Sequence, residues 1–302
     1  MFSIKVSITA AFVIVLLAVS ACDRRTNDGP PTVASSSTSP SLFPNWPPEA
    51  NEFRFHWSAA PGIDLDNGPA VALRAYVESY RLVGLTGGDT SVVYPGFGRA
   101  TPDNAGEATK HGQLFQLQYV RPKTRAEAEK NGWTYVARQI YGYQPTHLLS
   151  LVPQGDGYRA TVCLGLYSVF TSTDDPNKYL STNTESASGP LRYADGVEIW
   201  RVELTDHDPR VGDAPGSPAV AQRGPLPGPT DDVFGRWFIT GSSSGLWGLV
   251  GEAEDVDPAE VRQQCGEAMP DDVGARIAMS TGLHDSPPPH GDPIPGWPGK
   301  AQ

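Results

Sequence analysis

The spacing of hydrophobic positions divides the chain into a helical start, a strand-rich centre and a helical end. Between residues 68 and 83 the apolar side chains recur every three or four residues and share one helical face: Leu73, Tyr76, Val77, Tyr80 and Val83. Asp66 or Asn67 is placed to cap this helix, and Pro69 suits its first turn. The pattern predicts a helix that begins at Pro69 and ends near Gly84 or at the glycine pair 87–88.

A second, shorter helix is predicted to start at Thr124. Thr124 and Glu127 have the spacing of a capping box, in which each side chain accepts a hydrogen bond from the backbone N–H of the other residue. The pair Asn131-Gly132 is a turn signal and is expected to end this helix. Both predicted helices therefore precede the strand-rich centre.

Strand-like runs fill the centre of the chain. Residues 147–152 and 158–170 are separated by Pro153-Gln-Gly-Asp-Gly157, a composition typical of a hairpin turn. Further strands are predicted at 197–204 and 236–240. Helices followed by antiparallel strands favour an α+β domain in which helices pack on one face of a curved antiparallel sheet.

Helical spacing returns after residue 257. Asp257-Pro258-Ala-Glu260 is typical of a capped helix start, and this helix is expected to run through Cys265 towards Met269. A short helix is predicted at 273–279. Beyond it the chain becomes rich in proline, which excludes a helix or a central strand.

The longest apolar run, residues 6–21, lies at the N-terminus, after Lys5. It is shorter than the roughly 20 residues that cross a bilayer core. A basic start, an apolar middle and the small residues Ser20-Ala21 are the parts of a secretory signal peptide. An uncleaved signal anchor is the alternative, which the length of the run disfavours.

Val19-Ser20-Ala21-Cys22 resembles the lipobox of bacterial lipoproteins, in which an aliphatic residue and two small residues precede a cysteine. The resemblance implies that the Cys22 thiol receives a diacylglyceryl group and that cleavage leaves Cys22 as the first residue. A single acyl chain binds membranes only marginally, so an anchor of two or three chains suits durable attachment. The expected location is the extracytoplasmic face of the cell membrane.

The amino-acid composition distinguishes a tether from the globular domain and limits the classes of partner. Residues 23–50 are rich in Ser, Thr, Pro and Asp, which predicts a flexible tether. The net charge of −11 disfavours nucleic acid and anionic lipid as partners. We expect a signal peptide at 1–21, a lipidated cysteine and tether at 22–52, a globular domain at 53–283 and a Pro-rich tail at 284–302.

Cys163 and Cys265 remain once Cys22 is assigned to the lipid. Outside the cytoplasm an even number of cysteines favours a disulfide, which would hold the helix that contains Cys265 on the sheet. Two separately buried thiols are the alternative.

The runs HLLSLVPQGDGYRATVCLGLYSVF, KYLST, VEIWRVEL and RWFITG follow the predicted helices. Their order resembles the NTF2-like, cystatin-related domain of actinobacterial envelope proteins and lipoproteins. The segments CGEAMP, from Cys265, and PPPHGDPIPGWP are similar to the C-terminal end of the same group. The resemblance covers roughly residues 65–298 and implies a bent sheet around a conical pocket. NTF2-like domains include enzymes and binding modules, so the fold assigns no activity.

Ser243 is the strongest candidate nucleophile, because it is the central residue of Gly241-Ser-Ser-Ser-Gly245 after a predicted strand. Acids and histidines follow it in the order of a hydrolase triad: Asp255, Asp257, Asp271, Asp272, His284 and His290. The sequence has neither the helix after the serine nor the oxyanion motif that this mechanism needs. A turn is the favoured interpretation.

Metal chemistry has weak support in the sequence. His284 and His290 lie with Asp285 and Asp292 in the Pro-rich tail without the second ligand pair of a tetrahedral site. Residues 64–68 begin like a calcium loop, but the glycine stands where a ligand belongs. We predict no metal, no cofactor and no catalytic residue.

Aromatic and titratable residues near the first strand complete the candidates. Tyr141, Tyr143 and His147 are chemically capable of serving a pocket enzyme, but packing beside the sheet is the favoured interpretation of them. Trp133 and Tyr135 could extend them into a surface for a protein partner. The sequence predicts a non-catalytic envelope module that binds a partner or a small apolar ligand, with an isomerase or hydrolase as the alternative and a purely structural or assembly role as a third possibility.

Overall fold

A computed structural model describes residues 46–105, 113–130, 132 and 134–299. They form an α+β domain with a curled half-barrel sheet and few helices, as the sequence predicts. The larger helices are α1 (Pro69–Leu85), α2 (Phe97–Ala100), α3 (Arg125–Lys130), α4 (Ala259–Ala268) and α5 (Val273–Ser280). The strands are β1 (Glu52–Ala59), β2 (Ile140–Gln154), β3 (Gly157–Gly165), β4 (Val169–Ser172), β5 (Tyr179–Ser181), β6 (Val197–Thr205), β7 (Phe238–Ser243), β8 (Leu246–Trp247) and β9 (Glu254–Asp255).

The long strand β2 organises the main sheet. Its first residues pair antiparallel with β4 and its later residues pair antiparallel with β3. Strand β6 pairs with β3, β7 with β6, and β5 with β4, while β8 and β9 form a separate pair. Strand β1 pairs with β2 in parallel. This pair departs from the expected antiparallel sheet and is possible because a long helical crossover separates the two strands.

The predicted run at 158–170 divides into two strands. The chain leaves the sheet after Gly165 and returns to it at Val169. Opposite this break Gly142 adopts a left-handed φ of 83° and comes close to the Ser168 carbonyl. A register shift between Leu148 and Ser150 adds a second irregularity. Such irregularities increase the twist of a sheet, and here they help to curl it.

Alternate residues of the sheet face two cores. Leu148, Val162 and Trp200 lie opposite one another on β2, β3 and β6 and pack with α1 in the larger core. Cys163 and Ile199 face the other side and pack with Cys265 of α4. The curved sheet therefore carries α1 on one face and α4 on the other.

Helix α1 begins at Pro69, as predicted, but its cap differs from the expectation. The N-cap residue is Gly68, and no side chain caps the helix. The carboxylate of Asp64 accepts hydrogen bonds from the Asp66 backbone N–H and the Asn67 amide. These contacts hold residues 64–68 in a turn before the helix, so the prediction of Asp66 or Asn67 as the cap is wrong.

The capping box of α3 is confirmed. The Thr124 N–H donates to Glu127 at 2.7 Å, and the Glu127 N–H donates to the Thr124 hydroxyl at 3.2 Å. The helix ends at Lys130, next to the predicted break, and Gly132 has a left-handed φ of 79°.

The described part of the Pro-rich tail contains neither a helix nor a named strand and lies against the domain. Ile294 accepts a hydrogen bond from the N–H of Trp57 and returns one to the carbonyl of Phe55. Trp297 pairs with Leu226 through the backbone, and only 1 % of its surface is exposed. The tail therefore contributes a large side chain to the main core.

The side chain of Trp297 belongs to a buried polar cluster around Glu78 of α1. The Glu78 carboxylate accepts hydrogen bonds from the indoles of Trp57 and Trp297 at 2.8 Å and from the Tyr94 hydroxyl at 2.7 Å. The guanidinium of Arg74 lies 4.2 Å from the Trp297 ring centre. Burial raises the pKa of Glu78 to about 7, against the lowering effect of Arg74 and the three donors. This cluster joins β1, α1 and the tail.

Candidate functional site

A cleft of about 1040 Å³, which we call the polar cleft, opens on the described part of the domain. It lies between the C-terminal half of α1 and the end of the sheet formed by β4, β5 and the start of β6. Its lining residues are Arg81, Gly84, Leu85, Thr134, Val136, Arg138, Leu166, Thr171–Asp174, Leu180–Thr182, Thr184, Glu185, Arg192, Tyr193 and Glu198.

A network of polar side chains crosses the inner part of the polar cleft. Arg81 of α1 donates from Nε to the Gln144 side-chain oxygen at 3.2 Å. Its Nη1 lies 3.7 Å from a carboxylate oxygen of Glu198. The hydroxyl of Tyr193 donates to the same carboxylate. The tertiary structure thus brings four polar side chains together from a helix, two strands and a loop.

Burial determines the electrostatics of this network. It lowers the pKa of Arg81, and the nearby carboxylate of Glu198 opposes the change. It raises the pKa of Tyr193, and the charge of Glu198 adds to that effect. Arg81 and Glu198 expose only 16% and 11% of their side chains, so their pairing is poorly screened by solvent. At neutral pH Arg81 is a cation and Tyr193 a neutral donor.

Two further ion pairs lie at the rim of the polar cleft. Arg138 contacts Asp174 at 2.9 Å, and Arg192 contacts Glu185 at 3.4 Å. Hydroxyl side chains occupy much of the remaining surface: Thr134, Thr171, Ser172, Thr173, Ser181, Thr182 and Thr184. The cleft therefore offers many hydrogen-bonding groups and balanced charges, an environment that suits a polar ligand.

The same geometry provides little for covalent catalysis. Of the described residues that line the cleft, none is a histidine or a cysteine. The only carboxylate with low exposure, Glu198, already accepts from Tyr193 and faces Arg81. A general base needs a free acceptor positioned towards the substrate proton. The arrangement can bind and orient a ligand.

Ser243 lies at the end of β7, outside the polar cleft, in the turn towards β8. Its hydroxyl accepts a hydrogen bond from the Gly245 N–H at 3.2 Å. No histidine or acid of the described ranges is hydrogen bonded to this hydroxyl. The serine therefore belongs to a turn between two strands.

The two histidines of the tail occupy different surroundings. The His284 ring packs edge-on against Phe170, and the His290 ring lies 3.5 Å from Glu52. Within the described residues, no group of three or more His, Cys, Asp or Glu side chains could hold a metal ion. The carboxylate of Asp64, the first residue of the calcium-like sequence, accepts hydrogen bonds within its own turn.

The residues of β2 that the sequence offered for a pocket enzyme face away from α1. The Tyr143 ring stacks on His56, and its hydroxyl donates to Asp271 at 3.2 Å. His147 shares a 2.8 Å hydrogen bond with Ser58, and burial lowers its pKa. Tyr141 packs edge-on against Tyr179. The alternation of β2 places these side chains on the face opposite the polar cleft.

Tyr135 covers Gly87 and lies 4.5 Å from the guanidinium of Arg125. Trp133 lies outside the described residues, as do Cys22 and the predicted signal peptide. In the part of the chain that is described, no helix combines the length and the apolar character needed to cross a membrane.

Cys163 of β3 and Cys265 of α4 lie at disulfide distance. Their Cα atoms are 5.4 Å apart, and both side chains are fully buried. The pair lies on the face of the sheet opposite α1 and joins α4 to the sheet.

Comparison with models of protein families, with curated proteins and with solved structures found no match.

Sequence reasoning did not identify the residues of the polar cleft. Arg81, Gln144, Tyr193 and Glu198 are separated widely along the chain and form no motif. One signal was available: Glu198 is an acidic residue at a position of β6 that the strand pattern assigns to the apolar face. A charge in such a position needs a buried partner, which here is Arg81.

Proposed function

We propose that the chain is a lipid-anchored lipoprotein of the extracytoplasmic face of the cell membrane, and that its α+β domain is a non-catalytic binding module of the cell envelope. The lipobox at Val19–Cys22 supports the anchor. The pairing of Cys163 with Cys265 suits an oxidising location. The relationship to NTF2-like domains is part of the proposal, and the curved sheet with α1 on one face is compatible with it.

One observation favours binding over catalysis. The ionisable groups inside the polar cleft satisfy one another, through Arg81, Glu198 and Tyr193. Hydroxyls around them donate to backbone carbonyls of the fold: Thr173, Ser181, Thr182 and Thr184. Active sites instead direct a perturbed acid, base or nucleophile at the substrate. The ligand expected from this lining is polar and carries both donors and acceptors.

The anchor is tested by replacing Cys22. We expect Cys22→Ser to abolish labelling by a fatty-acid analogue, because the Cys22 thiol is the proposed point of lipid attachment. Cys163→Ser combined with Cys265→Ser is the control, since it removes two thiols but keeps Cys22. A Cys22→Ser protein that still incorporates the fatty-acid label contradicts the anchor.

The cleft is tested with soluble envelope saccharides and short peptides as probes in a thermal-shift and calorimetry screen. Thr182→Trp places an indole in the cleft and is expected to abolish binding, whereas Thr281→Trp, at an exposed position beyond α5, should leave it unchanged. Binding that is equal in both variants contradicts the site. The runner-up, a pocket enzyme such as an isomerase or hydrolase, gains support only if a bound probe is converted and Glu198→Gln stops the conversion.

A further inference from the structure

Arg81 of α1 is nearly buried, yet the fold uses little of its hydrogen-bonding capacity. A guanidinium carries five N–H donors. Among the described residues Arg81 makes one hydrogen bond, from Nε to the Gln144 side-chain oxygen at 3.2 Å. Glu198 faces its Nη1 at 3.7 Å, which is close enough for charge pairing but too long for a hydrogen bond. Within the described part of the chain, both terminal nitrogens of Arg81 therefore lack an acceptor.

Two other arginines of the described domain show what burial normally requires. Arg74 is fully buried and donates hydrogen bonds to three backbone carbonyls. Arg276 is buried as well and also donates to three backbone carbonyls. Buried polar groups nearly always have such partners. Arg81 departs from this pattern, which points to an acceptor that comes from outside the chain.

The terminal nitrogens of Arg81 are accessible from the polar cleft. Arg81 lines the cleft, and 16% of its side chain is exposed. Both Nη atoms keep surface that solvent can reach, whereas the Nε atom of Arg74 is enclosed without a partner. Gln144, which is completely buried in β2, fixes the Nε atom of Arg81. The rigid guanidinium therefore presents its Nη1 and Nη2 donors to the cleft in a fixed orientation.

The surrounding charges favour a ligand group with a single negative charge. The charge of Glu198 lies beside Arg81, so it would repel a dianion such as a phosphate monoester more strongly than a monoanion. Arg138 and Arg192 line the outer part of the cleft. The acids that pair with them are far more exposed, at 97% and 70%, so water screens those acids well.

We propose that the polar cleft binds its ligand through a carboxylate, whose two oxygens accept parallel hydrogen bonds from Nη1 and Nη2 of Arg81. A planar guanidinium matches a carboxylate in this bidentate geometry, which an ammonium group cannot provide. The inference rests on the proposed binding function and specifies the ligand of the same cleft. Acidic saccharides and peptides with a free C-terminus both carry this group, and the probes distinguish these two sources.

Two pairs of probes test the proposal, and the members of each pair differ in the carboxylate. Methyl glucuronide is compared with methyl glucoside, and N-acetylalanine with N-acetylalaninamide. Binding to the full chain, in non-ionic detergent and Tris buffer, is measured by titration in nitrogen-15 NMR spectra. We expect the acid of at least one pair to bind about ten- to hundredfold more tightly than its neutral partner, the range of hydrogen bonds to a charged group. The pair that shows this preference identifies the source.

Variants locate the carboxylate. Arg81→Lys keeps a positive charge beside Glu198 but removes the planar fork, so it should reduce the preference for the acid to about threefold or less. Arg159→Lys is the matched control, because Arg159 also pairs with an acid but lies outside the cleft lining, and it should bind as wild type does. Thr182→Trp should abolish binding of the acid, because its indole would occupy the cleft.

Four results would overturn the proposal. Equal affinity within both pairs refutes carboxylate recognition, and the proposed binding function stands if Thr182→Trp still abolishes that binding. Absence of binding by all four probes refutes the inference, while the wider saccharide and peptide screen decides the proposed function separately. An Arg81→Lys protein that keeps the full preference places the carboxylate elsewhere. Tighter binding of glucose 6-phosphate than of methyl glucuronide contradicts the singly charged group. The probe pairs on wild-type protein remain decisive even if Arg81→Lys does not fold.

Discussion

The hydrogen bond from Tyr94 to Glu78 should stabilise the protein more at high pH than at low pH. The Tyr94 hydroxyl donates to the Glu78 carboxylate at 2.7 Å, in a site where the two residues are only 1% exposed. Tyr94→Phe removes this donor and leaves the ring in place. Hydrogen bonds to an ionised group contribute about 1.5–3 kcal/mol, and those between neutral groups contribute about 1 kcal/mol. The cost of Tyr94→Phe should therefore follow the charge of Glu78.

The sign of the pH dependence follows from the pKa of Glu78. Burial raises this pKa from 4.5 to about 7, so the folded chain binds a proton that the unfolded chain releases between these values. The free energy of unfolding contributed by Glu78 accordingly falls as the pH rises from about 4.5 to about 7, by about 3 kcal/mol. Tyr94→Phe removes a donor that favours the carboxylate, so it should raise the pKa further and extend this fall to higher pH.

The assay is unfolding by urea, followed by tryptophan fluorescence at pH 5 and pH 9. We expect Tyr94→Phe to lower the free energy of unfolding by about 1 kcal/mol at pH 5 and by about 2–3 kcal/mol at pH 9. Tyr76→Phe is the matched control, because its equally buried hydroxyl donates at 2.7 Å to the neutral carbonyl of Val120. Its cost should be about 1 kcal/mol at both pH values. Equal costs of Tyr94→Phe at pH 5 and pH 9 would refute the reasoning.

Three further predictions concern the covalent link, the sheet and a helix cap. Cys163→Ala combined with Cys265→Ala should lower the free energy of unfolding by about 4–5 kcal/mol, because the bridge closes a loop of 102 positions. Mass spectrometry of the non-reduced protein should find the two cysteines in one linked peptide, and two free thiols would contradict the bridge. Gly142→Ala should destabilise the sheet by about 3 kcal/mol or more, because a Cβ there would clash with the Ser168 carbonyl. Gly62→Ala is the control, because Gly62 also has a positive φ but lies in open space. It should cost only about 1–2 kcal/mol in the same unfolding assay. Thr124→Ala should cost about 1 kcal/mol through loss of the capping box, measured by urea unfolding, and an unchanged midpoint would argue against the cap.

Local patterns predicted the elements well where neighbouring residues determine them. The helical spacing from Pro69 and the capping box of Thr124 depend on contacts within a few residues, and α1 and α3 form where these patterns place them. The hairpin between β2 and β3 likewise follows from its glycines. Strand ends were less predictable, because the division at residues 166–168 depends on the contact of Gly142 with Ser168, which a linear pattern does not contain.

Contacts between distant residues explain what the sequence did not reveal. Strand β1 was not among the predicted strands, and its parallel pairing with β2 requires the crossover through α1. The prolines of the tail correctly excluded a helix, yet nothing local indicates that Trp297 donates to Glu78, 219 positions away. The polar cleft depends in the same way on Arg81 and Glu198 meeting across the core.

The sequence by itself determined the α+β class and the positions of the main helices and central strands. It also predicted that Cys163 and Cys265 pair. These properties follow from hydrophobic periodicity, helix capping and turn chemistry, which act over a few residues. Only the tertiary structure decided which polar groups share a cleft and how the tail joins the core. Those features are set by burial, since a polar side chain removed from water must find its partner wherever the fold places one.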